Sequence, residues 1–152
     1  MDGDTGMKTL KTLSTLERVL LLREVPMFSG LSPEDLEQIA DIAQEQLYSN
    51  GTLICREGER GSTLFIIVIG KVEVIKGMGK TENVIAVREP GEFVGEMAIL
   101  ESAPRSATLR AQEDVRVLII EGNAFKAILI DRPEVAISVL QHMSTRVRQL
   151  SK

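Results

Sequence analysis

The sequence predicts a mainly β fold, an antiparallel double-stranded β-helix or jelly-roll barrel, with an N-terminal helical segment and two C-terminal helices. Three observations predict it. Between residues 51 and 121 short apolar runs alternate with glycine-bearing turns, the pattern of a sandwich or roll of many short strands. On either side of that stretch the apolar spacing changes to the three-and-four rhythm of helices. The length of 152 residues, with 43% hydrophobic and 26% charged side chains, suits one globular domain that can bury a real core.

Residues 1–8 are polar, carry glycine and lack periodicity, and read as a disordered leader. From Thr9 to Glu24 the residues Leu10, Leu13, Leu16, Val19, Leu20 and Leu22 recur at helical spacing, and Pro26 closes the segment. Leu21 widens the stripe, so this helix either packs on its own barrel or docks on a neighbouring domain or second copy. Ser32-Pro33-Glu34-Asp35 is a helix start: a hydroxyl at the cap, proline at the first position, and acids against the positive end of the dipole. Leu36, Ile39, Ala40 and Ala43 then face a core, in a helix running to about Gln46. The helical segment is therefore bounded at 9–46 and the β-roll at 47–121.

Strands are expected over Thr52–Arg56, Thr63–Ile69, Lys71–Lys76, Asn83–Arg88, Ser106–Ala111 and Val115–Ile120. Leu64–Ile69 is too continuously apolar for a half-exposed strand and belongs in the middle of a sheet. The charged Glu57–Arg60 loop reads as a solvated turn. After Gly122-Asn123, a helix with Phe125, Ile128 and Leu129 on one face breaks before Pro133. A last helix carries Val135, Val139, Met143 (or Leu140), Val147 and Leu150 as its stripe, with Arg146 and Arg148 towards its C-terminus. These two helices make up residues 122–152.

Composition removes several functions. The net charge of −4 lacks the basic footprint of a nucleic-acid binder, and 3% aromatics without tryptophan offer no stacking platform. Nucleic-acid binding by this chain alone is not expected. The single cysteine, Cys55, lies in an apolar run and reads as a buried, inert thiol. With one histidine, His142, neither a two-histidine metal site nor a multi-histidine catalytic centre can form. No enzyme activity, metal or cofactor is expected. No apolar run approaches about 18 residues and no signal peptide is recognisable, so a cytoplasmic chain without membrane insertion is expected.

The stretch Phe93 to Thr108 carries the chemistry. Gly95 permits a close backbone approach, and Glu96 to Leu100 are helix formers stopped by Pro104. So short a helix leaves most of its amides pointing out of its N-terminus, where they favour an anion. Arg105 adds a guanidinium with the fork geometry that grips phosphate. Glu96 would repel a phosphate, but suits a sugar hydroxyl. A phosphate receptor beside a hydroxyl receptor describes a nucleotide pocket.

Gly95-Glu96-Met97-Ala98-Ile99-Leu100, followed by Pro104-Arg105-Ser106-Ala107-Thr108, closely resembles the phosphate-binding cassette of the cyclic nucleotide-binding domain family. Val25 to Leu36 resembles the family's helical entry segment, and the likeness extends over about residues 25–150. The resemblance implies that Glu96 takes the ribose 2′-hydroxyl and Arg105 the cyclic phosphate. Backbone around Gly95, Met97 and Ala98, with Ser106 and the adjoining Ala107, would complete the cradle. It also makes the last helix a lid over the base, with Arg146, Val147 and Leu150 as the capping residues. A threonine after the arginine goes with cGMP in the family, whereas serine occurs there in bacterial cAMP receptors. Ser106 therefore points to cAMP, with cGMP the alternative. The implied function is a regulatory module that passes occupancy through its flanking helices to an attached or separate effector domain, with a homodimer through the terminal helices possible. The alternatives are the ligand-sensing part of a truncated transcription regulator, or a degenerate domain acting only in protein interaction.

Overall fold

The computed structural model describes residues 12–95 and 103–150. Its first helix, α1 (Thr15–Arg23), begins later than the leucine spacing predicts, because Ser14 and Glu17 form a reciprocal capping box. The Ser14 hydroxyl accepts from the Glu17 amide at 3.1 Å, and the Glu17 carboxylate accepts from the Ser14 amide at 2.9 Å. Leu22 faces the core while Leu16 and Leu20 remain exposed. Pro26–Phe28 forms a 3₁₀ turn, and α2 (Pro33–Ile42) follows, capped by Ser32 as predicted.

Helix α2 stops at Ile42 rather than near Gln46, since Ala43 turns to extended backbone. Gln44–Tyr48 is instead strand β1, which the sequence reading missed. Gln-Glu-Gln favours helix by propensity, but pairing decides the matter: Gln44 to Tyr48 run antiparallel to residues 119 to 115. The other strands are β2 (Leu53–Cys55), β3 (Thr63–Ile69), β4 (Val72–Lys76), β5 (Asn83–Arg88), β6 (Phe93–Val94), β7 (Thr108–Ala111) and β8 (Val115–Glu121). The two-residue β6 has no period to read and was also missed. Among the described residues these strands form two antiparallel sheets of four, ordered β1-β8-β3-β6 and β2-β7-β4-β5. This is the predicted roll with flanking helices.

Strand β3 lies inside the first sheet and is buried on both faces, which is why its sequence is apolar without alternation. Leu64 and Ile66, with Leu118 and Ile120 of β8, pack under the helices against Leu22, Phe28, Leu36, Ile39 and Phe125. Phe65 and Ile67 point the other way, into a second core with Val72, Val94, Leu109, Val115 and Val117 inside the roll. Each such side chain contributes about 1.5–3 kcal/mol by burial.

Glu121 caps α3 (Gly122–Asp131), accepting from the Asn123 and Ala124 amides at 2.9 and 3.1 Å. Those bonds hold its carboxyl below the ordinary value. The last helix, α4 (Pro133–Leu150), buries Val135 and Val139 and half-buries Met143. Met143 rather than Leu140 continues the inward stripe, since Leu140 is exposed. Two bonds dock α4 on the N-terminal elements: Ser138 Oγ donates to the Met27 carbonyl at 2.7 Å, and Arg132, between α3 and α4, pairs with Asp35 at 2.7 Å. Burial pushes the Asp35 carboxyl up, but side-chain hydrogen bonds with Arg132, Glu134 and Ser32 and the charge of Arg132 bring it below the ordinary value.

Candidate functional site

The site grows from a backbone pairing between two loops. The Gly58 amide donates to the Arg105 carbonyl, and the Arg105 amide donates to the Glu59 carbonyl, both at 2.8 Å. Next to this pair the Glu57 amide donates to Thr108 Oγ1 at 2.9 Å, and Glu57 Oε1 accepts from the Gly77 amide at 3.1 Å. The 57–60 loop is the exposed turn that the sequence reading expected, and it also braces the segment that carries Arg105.

From that brace the Arg105 side chain enters the roll and is 9% exposed. Its Nη1 donates to the Thr63 carbonyl at 3.0 Å, and its Cζ lies over the Phe65 ring, 5.3 Å from the centroid. Two glycines make the room. A Cβ on Gly95, whose φ is +98°, would fall 2.5 Å from the Thr63 oxygen and 2.9 Å from Arg105 Nη1. A Cβ on Gly61 would lie 3.1 Å from Arg105 Nη2. Position 95 therefore requires glycine twice over, for its left-handed backbone and for the guanidinium beside it.

Among the described residues the charge of this arrangement is not balanced. A buried cation is costly unless paired, and among the described residues no carboxylate bonds to the Arg105 guanidinium. A carbonyl and a ring face stabilise it without cancelling its charge. An anion arriving there would find a desolvated fork of N–H donors.

Of the other sequence candidates, Ala107 is buried and Ser106 exposed, both directly after Arg105. Glu96, Met97 and Ala98 lie outside the described residues. Val147 of α4 is 61% exposed, and the side chains of Arg146 and Leu150 lie outside the description. Cys55 on β2 is half-buried rather than fully enclosed. Burial pushes its thiol up, opposed by the charge of Arg105 and by a backbone bond from Leu109, while Glu59 adds to the rise. Sequence reasoning missed Phe65, which looked like ordinary core; nothing in a strand pattern says which core ring lies under an arginine. Phe93 also proves to be a tie between elements: its ring meets that of His142 on α4 edge-on, with centroids 5.3 Å apart. Among the described residues no group of three or more His, Cys, Asp or Glu gathers as a metal site, and no helix is long and apolar enough to cross a membrane.

Residues 45–132 match the profile of the family described as "Cyclic nucleotide-binding domain". The chain belongs to the cyclic nucleotide-binding domain family. A cyclic AMP receptor protein from Thermus thermophilus is 32% identical over 125 residues, covering 82% of this chain and 58% of that protein. A cAMP-dependent protein kinase regulatory subunit from Mycosarcoma maydis is 37% identical over 137 residues, covering 85% of this chain and 26% of the subunit. The chain thus spans less than two thirds of the length of these curated relatives. Among solved structures, the N-terminal domain of a transcriptional regulator from Streptomyces coelicolor A3(2) is 30% identical, with a TM-score of 0.76 over 86% of this chain and 92% of that one. These relatives are named as receptors and regulators, so the family is one of cyclic nucleotide-binding regulatory domains.

Proposed function

We propose that this chain is a cAMP-binding regulatory module whose ligand completes the charge of Arg105 and draws the C-terminal helix towards the roll. The observation that carries the reading is the buried guanidinium with donors to spare and no carboxylate among the described residues. A cyclic phosphodiester brings one negative charge, which one guanidinium balances. A nucleoside di- or triphosphate would bring further charge to a chain already at −4. In this reading Arg105, the backbone at Gly95, Met97 and Ala98, and Ser106 with Ala107 hold the phosphate, and Glu96 accepts from the ribose 2′-hydroxyl. Arg146, Val147 and Leu150 cap the base. A ligand that favours one placement of α4 shifts the population towards it, and whatever is attached to the helices senses the shift. The effector is an attached or separate domain, and two copies pair through their terminal helices. The likeness to the N-terminal domain of a transcriptional regulator supports a sensing role of this kind.

Calorimetric titration of ligand-stripped protein with cAMP, cGMP and a cyclic dinucleotide tests the reading. The expected order is cAMP tightest, cGMP weaker and the dinucleotide weakest. In the same assay Glu96→Ala should weaken cAMP by about 1.5–3 kcal/mol but leave 2′-deoxy-cAMP much less affected. Equal losses for both remove the ribose role, and absence of heat with either mononucleotide overturns the proposal.

A further inference from the structure

We propose that Phe65 is the positioning residue that holds the Arg105 guanidinium in place for an anion before the ligand arrives. The inference rests on the nucleotide-binding reading of the Arg105 pocket and extends it to a residue outside the 93–108 stretch. Arginine is a long side chain with much rotamer freedom to lose, and binding is weakened whenever the ligand must order it. Here the backbone brace fixes only the root of the side chain. The far end is fixed by three contacts: the Thr63 carbonyl on Nη1, the close approach of Gly95 and Gly61, and the Phe65 ring under Cζ.

Those contacts are not equivalent. The carbonyl uses an N–H donor, and the glycines supply space but no attraction. The ring supplies attraction through its face, leaving the N–H donors at the guanidinium edge for other bonds. A carboxylate in its place would neutralise the guanidinium and compete with a phosphate. An aliphatic side chain would leave the cation desolvated with less to offset the cost. The surroundings make the choice of residue conspicuous. Among the described residues, the other fully buried members of the roll's inner core are all aliphatic: Ile67, Val72, Val94, Leu109, Ala111, Val115 and Val117. Phe65 is set rigidly, with partners on both sides, Val94 of β6 and Ile119 of β8. Its strand also supplies the Thr63 carbonyl two residues earlier, so one strand presents both holds on the same guanidinium.

Replacing Phe65 with mono-, di- and trifluorophenylalanine tests this with little change of shape, because fluorine drains the ring face and not its volume. Affinity for cAMP should fall stepwise, by about 3- to 30-fold at the trifluoro ring, with Phe65→Leu falling in the same range. Phe65→Tyr, which keeps the face, should stay within about threefold. A second readout needs no ligand. Cys55, the single cysteine of the chain, packs against the same core and feels burial first, then the charge of Arg105 and the opposing charge of Glu59, so its thiolate titration reports where the guanidinium sits when the ring keeps its volume. In the trifluoro protein the Cys55 titration should move up, in the direction that Arg105→Met moves it. In the trifluoro protein, an unchanged Cys55 titration, or cAMP binding as tight as the parent's while Arg105→Met loses binding, overturns the role of Phe65 and leaves the nucleotide reading standing. If Arg105→Met itself binds cAMP undiminished, the nucleotide reading fails, and the ligand-independent Cys55 titration alone decides whether Phe65 holds the guanidinium.

Discussion

Arg105→Met should separate binding from folding. Removing the guanidinium deprives a largely desolvated phosphate of its charged partner, which costs about 2–5 kcal/mol of affinity, or about 30- to 5,000-fold. The ligand-free fold should respond differently. The variant loses one hydrogen bond, from Nη1 to the Thr63 carbonyl, worth about 1 kcal/mol. It also relieves the burial of a cation that no carboxylate among the described residues neutralises, an opposing gain of similar size. Methionine also gives up the contact of Cζ with the Phe65 ring, while its flexible stem keeps much of the side-chain volume. The ligand-free stability should therefore change by less than about 1 kcal/mol in either direction. Urea unfolding in the absence of nucleotide and calorimetry in its presence give the two numbers. Arg105→Lys should recover only part of the affinity, since an ammonium cannot make the fork contact. A loss of stability as large as the loss of affinity would show that Arg105 is a structural pillar, and the charge argument for an anion site would fall with it.

Gly95→Ala should lower both quantities together: the left-handed backbone alone costs about 1–2 kcal/mol, and the new methyl meets the Thr63 carbonyl and Arg105 Nη1. A variant with wild-type unfolding would mean that the local backbone is not as described. For Asp35, whose carboxyl titrates below its ordinary value of about 4, the stabilisation is full above that pH and is lost as pH falls through the lower folded value. The stability advantage of wild type over Asp35→Asn should therefore be constant near pH 6 and shrink below about pH 4, and Arg132→Ala should lower stability near neutrality and remove that pH dependence. If α4 closes on the base, amides of residues 140–150 should exchange more slowly with cAMP bound, and deletion after Ser144 should weaken binding with the roll still folded. Protection confined to residues 93–108 removes the lid.

The architecture was legible wherever one local pattern decided the outcome. Ser32-Pro33 starts a helix in any surroundings, since the cap satisfies that helix's own amides. Glycine turns between apolar runs require short strands, and the unbroken Leu64–Ile69 run requires burial on two faces. What misled was pattern without partner. Gln44-Glu45-Gln46 prefers helix in isolation, and β8 lying alongside makes it a strand. Leu16 and Leu20 keep helical spacing but no core waits for them, and the capping box, not the leucines, sets where α1 begins.

The site divides along the same line. The residue types and spacing of Gly95, Glu96 and Arg105 pointed to a nucleotide pocket because chemistry is written in the side chains themselves: a residue without a Cβ, a carboxylate and a fork of donors. Only the folded chain decided that Arg105 is buried without a carboxylate among the described residues, that the 57–60 loop braces its backbone, and that Phe65, forty positions upstream, lies beneath it. These are contacts between segments far apart in sequence, selected by strand register and by the space that Gly61 and Gly95 leave open. A sequence states what each residue can offer, whereas burial and register determine which offers meet, and the charge on Arg105 acquires its force from the low dielectric that only tertiary packing creates.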